Sequence, residues 1–427
     1  MTSAVEVRTL DPDAWRAPAR VRVALAGCGA VGSALLRELV ARRAALAERH
    51  GVRVELTRVL VRDVTRPRDA DFDRTLLTAD VDEFLATDAD VVIEAIGGLD
   101  PARHIAESVL RRGRELVTAN KELLAAHGSA LTALAGAHRT SLRYDAAVGG
   151  GVPVLRLLDD ALGAGTPTSV RGILNGTTNF VLTHLERGAS VETALAEARS
   201  AGFAEADASR DLDGRDAAAK LALVAWAAFG IAPEAIVVRR QSLLPDPARY
   251  TGLAARVGRT VRQVAECTVV DGAVVASVEP LLIDPTSALA RTRDEQNRVE
   301  VHTGWSAPLC ASGPGAGGVP TATALLSDLV ATSTAPRRRV GARVGGVDAR
   351  RFDWAIDVRG TSQLLHRHVP DCGLVHTDAT ASGAWTIVLA ATANEIARVV
   401  DALAQAGGEP IAARLDDADQ QTRECTR

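Results

Sequence analysis

The sequence predicts an α/β chain of more than one domain, and three observations carry that reading. A short apolar strand at residues 21–26 runs directly into a glycine-spaced turn and a helical pattern. Apolar strands then alternate with helical segments as far as residue 145, the order that builds a parallel sheet. Residues 351–427 carry a different rhythm, in which strands and an amphipathic helix close a small sheet of their own. A chain of 427 residues is also too long for one core.

Composition narrows the class. Hydrophobic content of 47% and charged content of 24% are ordinary for a globular protein, and 3% aromatics leave the cores to Ala, Val and Leu. A net charge of −4 provides no basic field for nucleic acid. Five cysteines without CxxC spacing read as reduced thiols. The first twenty residues carry Glu6, Asp11 and Asp13 in place of an apolar leader, and no apolar run is long enough for a bilayer. The expectation is a cytoplasmic protein with neither nucleic acid nor membrane as partner.

The strand at 21–26 is followed by Gly27-Cys28-Gly29-Ala30-Val31-Gly32 and a helix expected from 33 to about 49. Strand, G-x-G-x-x-G, helix is the fingerprint of a Rossmann-type nucleotide-binding domain. Gly27 permits the tight turn and Gly29 lets the backbone approach a pyrophosphate. Gly32 lets helix and strand pack, and the phosphates meet the helix N-terminus at Ala30 and Val31. A second strand, 52–61, ends at Arg62-Asp63, with Arg66 and Arg68 beyond. A carboxylate at that place suits the ribose hydroxyl of NAD, and an arginine suits the 2′-phosphate of NADP. Arg62 comes first, so NADP is expected, with Asp63 keeping NAD as the lesser option.

Residues 90–96 form a buried strand ending at Gly97-Gly98, and Glu94 within it reads as pointing into a polar edge. Pro101 opens a helix to 112. The next strand, 115–119, carries Asn120-Lys121 at its carboxyl end, where open α/β sheets bind ligands. Gly97, Asn120 and Lys121 therefore join the cofactor set. Residues 144–153 read as a tight, carbonyl-exposing turn beside Asp145, oxygen-only surroundings that suit a hard cation, with a plain hinge as the alternative. A strand at 169–174 leads into a polar turn, 175–179, and a helix from about Phe180.

The densest group of charges follows: Glu205, Asp207, Asp211, Asp213, Asp216 and Lys220. Asp216 and Lys220 stand four apart on one helix face, and that helix is apolar nearly all round, which implies burial. A buried ion pair with no function is costly. Of the 49 lysines and arginines only two are lysines, Lys121 and Lys220. Arginine serves for surface charge and phosphate contacts but never releases its proton, whereas burial and neighbours can lower a lysine's pKa until it acts as a general acid. Composition alone leaves chance open, since a coding bias would also leave a few lysines anywhere. Residues 313–318, GPGAGG, lack the Gly-Lys-Ser/Thr of a phosphate-binding loop.

Read in order, AGCGAVGSALL, VIEAIGG, VTANKELLA, AAVGGGVPV, GILNGTTNFVLT, GFAEADASRDLDGRDAAAKLA and GPGAGGVPTATALLSDL make residues 21–332 resemble the homoserine dehydrogenase family. Both lysines fall on positions that the family links to catalysis. The resemblance implies reversible reduction of L-aspartate 4-semialdehyde to L-homoserine, in threonine and methionine biosynthesis. It implies that Lys220 gives a proton to the carbonyl oxygen, that Asp216 holds Lys220 and the substrate hydroxyl, and that Lys121 contacts substrate or relays the proton. Glu205 would take the substrate ammonium, with Asp211, Gly176, Thr177 and Phe203 around it. A monovalent cation such as sodium would sit on Asp145 and the carbonyls of Val148, Gly150 and Val152. Gly318 would open a helix returning to the nucleotide domain, and the assembly would be a homodimer or a larger homo-oligomer.

Three departures bear on substrate and affinity. Phe203 stands where the family commonly has Tyr, Asp145 where it usually has Glu, and Ala208 where it favours Pro. They keep open a related reductase for another amino-acid aldehyde, and a silent sensor of nucleotide and amino acid is the third reading. The domain plan is an extension (1–20), the nucleotide-binding domain (21–145) and an α+β domain for substrate, catalysis and dimerisation (146–332, of which 313–332 return to the first). A linker (333–350), a C-terminal domain (351–417) and a tail (418–427) follow. No kinase-sized segment precedes the fold, giving the expectation of a monofunctional chain. In the C-terminal domain, strands at 352–358, 373–377, 385–391 and 410–415 and a helix at 394–406 give a βαββαβ-like order that resembles an ACT domain. Its first helix, 361–368, is short, and the loop 359–362 lacks the acidic Pro-Gly turn that cradles an amino acid. The expectation is a degenerate, structural domain and not a threonine sensor.

Overall fold

The computed structural model describes residues 19–304, 307–332, 343–344, 350–359, 374–380 and 383–416. Six strands, β1 (Ala19–Ala26), β2 (Val52–Leu60), β3 (Leu77–Thr78), β4 (Val91–Glu94), β5 (Glu115–Thr118) and β6 (Leu142–Arg143), form one sheet in the order β3-β2-β1-β4-β5-β6. Every pairing in it is parallel. This is the doubly wound dinucleotide order, and its direction reverses between β1 and β4, where a crevice opens. The expected helix at 33–49 is two helices, α1 (Ala30–Ala41) and α2 (Arg43–His50), because Arg42 leaves helical geometry and caps α1. Helices α3 (Val81–Ala86), α4 (Ala102–Arg111) and α5 (Lys121–Ala137) complete the wrapping.

The second region begins with α6 (Asp145–Val148) and α7 (Val154–Ala164) and continues through β7 (Ser169–Ile173), α8 (Gly176–Glu186), α9 (Val191–Ser200), α10 (Ser209–Leu212) and α11 (Arg215–Phe229). After these come β8 (Val238–Arg240), α12 (Pro247–Arg256), β9 (Thr260–Val270), β10 (Ala273–Ile283), β11 (Gln296–His302), β12 (Leu309–Pro314) and α13 (Gly318–Ala331). The apolar helix α11 packs against α5, α7, β9 and β10, so its charged first turn is carried into the interior. Residues of α13 (Ala322, Leu325, Leu326, Leu329) share a core with Leu25 and Ile93 of the first sheet and Leu35 of α1.

Two readings of the local sequence are corrected here. The segment expected as a polar turn, 175–179, is the start of α8: Asn175 is its N-cap, accepting from Thr178 N–H, and Gly176 to Asn179 are already helical. Ser, Thr and Asn runs resemble turns in sequence for the same reason that they cap helices, since their side chains satisfy free backbone N–H groups. Asp145 opens the one-turn helix α6, so the carboxylate stands in a helix and not in an open turn.

The C-terminal strands β14 (Arg351–Arg359), β15 (Leu374–Thr380), β16 (Gly383–Thr392) and β17 (Glu409–Asp416) are ordered β17-β14-β16-β15, with α14 (Ala393–Gln405) between β16 and β17. Thr392 and Glu395 form a reciprocal capping box that starts α14. The first helix read at 361–368, and all of the loop 359–362 except Arg359, lie outside the described residues, as do the extension apart from residues 19–20 and the whole of the tail. The described part of the stretch read as a linker includes a strand, β13 (Arg343–Val344), pairing parallel with β10. β17 also pairs parallel with β10, so among the described residues the C-terminal strands join one eleven-stranded sheet with β7–β13. Arg414 of β17 is buried across that seam and bridges Glu266 at 2.8 Å and Glu279 at 3.4 Å. Among the described residues no helix is long and apolar enough to cross a membrane.

Candidate active site

The glycine turn after β1 is shaped for close backbone approach. Gly27 has φ +101°, and a Cβ there would lie 2.5 Å from Ala95 O; one at Gly32 would lie 2.0 Å from Gly27 O. Nothing stands within 4 Å of the corresponding position at Gly29, and α1 has no side-chain cap. The free N–H groups at Ala30, Val31 and Gly32 therefore point at an open site that an anion can cap. Gly318, first residue of α13, lies against Ala30, so a second uncapped helix start faces the same place. These features fit a dinucleotide pyrophosphate.

Arg62 is exposed just beyond the end of β2. Asp63 turns inward on its own loop: Oδ1 accepts from Thr65 N–H at 2.8 Å and Thr65 Oγ1 at 2.7 Å, and these bonds hold its carboxyl below the usual range. Gly97 and Gly98 have positive φ and open surroundings. Glu94, expected at a polar edge, is 0% exposed and organises this turn. Its Oε1 accepts from Ile96 N–H at 2.8 Å and Gly97 N–H at 3.2 Å, and its Oε2 accepts from Thr118 Oγ1. Asn120 caps α5 through Leu123 N–H and donates to Gly98 O at 2.7 Å, so its amide is committed to holding the turn.

Lys121 starts α5 and reaches across to α11. Its Nζ lies 2.7 Å from Asp216 Oδ1, while Lys220 Nζ lies 2.9 Å from Asp216 Oδ2. One carboxylate thus holds both lysines of the chain. Lys220 also donates to Leu174 O at 2.9 Å, at the end of β7. Burial opposes the charge on Asp216, but the two ammonium groups outweigh it and keep the carboxyl far below the usual range. Burial likewise opposes the ammonium of Lys121, but Asp216, Asp211 and Glu122 outweigh it and its pKa is raised. The expected lowering does not occur at Lys121, because the carboxylate is in direct contact.

Among the remaining sites read from sequence, Asp211 is half-buried, and its pKa is raised by burial against a bond from Asn175. Thr177 is buried and donates to Phe203 O at 2.6 Å, which brings Phe203 to the start of α8. Gly176 has no room for a side chain, since a Cβ would lie 2.6 Å from Glu295 O. Glu205 is exposed, and among the described residues only its backbone carbonyl is engaged, by Arg199 Nε at 3.3 Å. Asp145, Val148, Gly150 and Val152 are buried together. Asp145 receives Leu155 N–H at 3.0 Å, and its own N–H donates to Asp328 Oδ2 at 2.9 Å. Burial pushes Asp145 up to about 6 and Asp328 up to about 7. Among the described residues no three His, Cys, Asp or Glu side chains group as a metal site. The donors available to a cation here are carbonyls and these carboxyls, which fit a hard ion.

A crevice for a dinucleotide, bordered by a buried carboxylate with two lysines, is the arrangement of a hydride-transfer site. Comparison with known proteins agrees in detail: the family descriptions "Homoserine dehydrogenase, NAD binding domain" and "Homoserine dehydrogenase" match residues 27–145 and 153–330. The chain belongs to the homoserine dehydrogenase family. It is an NAD(P)-dependent oxidoreductase of the class acting on a CH–OH group. Homoserine dehydrogenase of Bacillus subtilis is 35% identical over 313 residues, 73% of this chain and 72% of the relative. That of Mycobacterium tuberculosis is 38% identical over 327 residues, 75% and 73% of the two chains. The crystal structure of a homoserine dehydrogenase from Thiobacillus denitrificans superposes with a TM-score of 0.82 at 25% identity, covering 93% of this chain and 99% of that one. A hyperthermophilic archaeal homoserine dehydrogenase solved with NADPH shares the fold, with a TM-score of 0.63 at 23% identity over 75% of this chain and all of that one. Neither family match reaches past residue 330.

Two residues of this homoserine dehydrogenase-type site escaped the sequence reading. Glu94 was visible as an oddity, a carboxylate in an apolar strand. Asn175 was read only as part of a polar turn, yet its amide touches two site carboxylates.

Proposed function

We propose that the chain is a homoserine dehydrogenase that reversibly reduces L-aspartate 4-semialdehyde to L-homoserine with NADPH, in threonine and methionine synthesis. The observation that carries this reading is Asp216 bonded to both Lys121 and Lys220. Ala30, Val31, Gly32 and Gly318 would hold the pyrophosphate, Gly97 would border the nicotinamide end, and Arg62 would take the 2′-phosphate. NADPH over NADH is favoured by the exposed guanidinium of Arg62 and by the loop bonds that occupy Asp63.

The bound cofactor supplies a hydride to the aldehyde carbon. Lys220, fixed by Leu174 O and Asp216, gives its proton to the carbonyl oxygen, so the aldehyde becomes an alcohol and the lysine is left neutral. Asp216 bridges Lys220 to Lys121, whose side chain is 35% exposed, and that bridge offers a route for the proton to be replaced from solvent. Asp211 and Glu205 offer negative charge to the substrate ammonium, and Gly176 and Thr177 line the floor with Phe203. In the reverse direction the same groups remove the hydroxyl proton.

A monovalent cation such as sodium fits the buried Asp145 carboxyl with the Val148, Gly150 and Val152 carbonyls, because two buried carboxyls stand together there. The C-terminal strands are read as a structural, degenerate ACT-like domain. A homodimer or larger homo-oligomer is consistent with the sheet ending in β12, where Leu309 and Cys310 are exposed. The test is oxidation of NADPH, and separately NADH, with L-aspartate 4-semialdehyde; no turnover with either cofactor contradicts the reading.

A further inference from the structure

Asn175 joins the end of β7 to α8, and its buried side chain makes three bonds to three elements. Oδ1 accepts the Thr178 N–H at 2.7 Å, the cap of α8. Nδ2 donates to Asp211 Oδ1 at 2.7 Å, in α10, and to Asp216 Oδ2 at 2.9 Å, in the first turn of α11. The amide has one orientation: a backbone N–H requires an acceptor and two carboxylates require donors.

Capping explains only the first bond, and serine, threonine or aspartate would serve it equally well. A primary amide of this length can accept from the helix and donate to both carboxylates at once. The two carboxylates repel one another. Asp216 has both lysines, but among the described residues Asp211 has no arginine or lysine within ion-pair distance. The bond from Asn175 is what fixes Asp211 beside Asp216.

We infer that Asn175 is a positioning residue of this site, holding Asp211 in place for the substrate ammonium while orienting Asp216 towards its two lysines. This rests on the reading above, in which Asp211 lines the substrate pocket. The amide makes that arrangement independent of the substrate: it is set by the cap of α8 before anything binds.

The experiment compares Asn175→Ser with Asn175→Ala in the full chain. Serine keeps the cap and loses only the bonds to the carboxylates, so its Tm should lie above that of the alanine variant. Its KM for L-aspartate 4-semialdehyde should rise about 10- to 100-fold, the span of one hydrogen bond to a charged group, while KM for NADPH is unchanged. The alanine variant should show the same rise in KM and a lower Tm. A serine variant with wild-type KM reduces Asn175 to a helix cap and overturns the inference. A second readout is independent of the reaction. With only two lysines in the chain, selectively labelled protein gives two lysine side-chain NMR signals. Both should move in Asn175→Ser and neither in Ser190→Ala, which removes the cap of α9. Lysine signals unmoved by Asn175→Ser overturn the inference. If wild type does not turn over the semialdehyde, the functional reading fails, and the lysine signals still decide the role of Asn175.

Discussion

Replacing Lys220 with arginine keeps a cation beside Asp216 and removes that position's ability to lose a proton. The wild-type ammonium sits 2.9 Å from both Leu174 O and Asp216 Oδ2, with its side chain 11% exposed. A guanidinium still donates to both acceptors, and Lys121 keeps Asp216 Oδ1 at 2.7 Å, so no charge is left bare and the fold should survive. The structural cost is confined to fitting a larger planar group. The chemical cost is that of losing a general acid, about 10²–10⁴ in rate. At about 1.4 kcal/mol per factor of ten, that is roughly 3–5 kcal/mol on the barrier. The assay is steady-state NADPH oxidation with L-aspartate 4-semialdehyde, beside NADPH binding by fluorescence and a thermal melt. Expected are a kcat lower by about 10² or more, unchanged NADPH affinity and a Tm within a few degrees. A near wild-type kcat would refute the reasoning and make Lys220 a structural ion-pair residue.

Arg62→Ala should lower kcat/KM for NADPH about 10- to 100-fold and leave NADH nearly unaffected; equal losses contradict the 2′-phosphate contact. Arg414→Met should cost about 3–5 kcal/mol in denaturant unfolding, because Glu266 and Glu279 are left buried without that partner. In wild type, burial would lift Glu266, but Arg414, Arg350 and Arg171 hold it well below the usual range. Its contribution to stability is therefore present above about pH 4.3 and lost as pH falls towards the folded value. In the variant that hold is weakened, so less stability should be lost on acidification below about pH 4.3; a variant that keeps the full wild-type acid dependence contradicts this. Threonine titrated to millimolar levels should give no strong, saturable inhibition of the full-length enzyme. The full chain is needed, because removing residues 351–427 would take Arg414 from the seam.

The nucleotide-binding half was legible in sequence because its signals are local. The period of the strands, Gly27 and Gly32 at fixed offsets, and Lys121 at a strand end all lie within a few residues of what they determine. The strands and the second helix of the C-terminal region were legible for the same reason. Glu94 was not, since its partner Thr118 lies on the neighbouring strand and nothing in DVVIEAI points there. Asn175 looked like a turn residue because the chemistry that makes a turn also caps a helix. The joining of β17 to β10 depends on a parallel pairing between distant segments, and Arg414, Glu266 and Glu279 show their meaning only once that register is known. The break at Arg42 also escaped a helical pattern that runs through it.

The central claim is that one carboxylate, Asp216, holds the chain's two lysines in a single buried site. Lysine-selective NMR measures this directly, since each signal belongs to Lys121 or Lys220. In wild type the Lys121 signal should titrate above the ordinary lysine value of about 10.4. In Asp216→Asn the largest opposition to burial is removed, so the Lys121 titration should fall and both signals should change position. A Lys121 signal that titrates identically in wild type and Asp216→Asn would contradict the account.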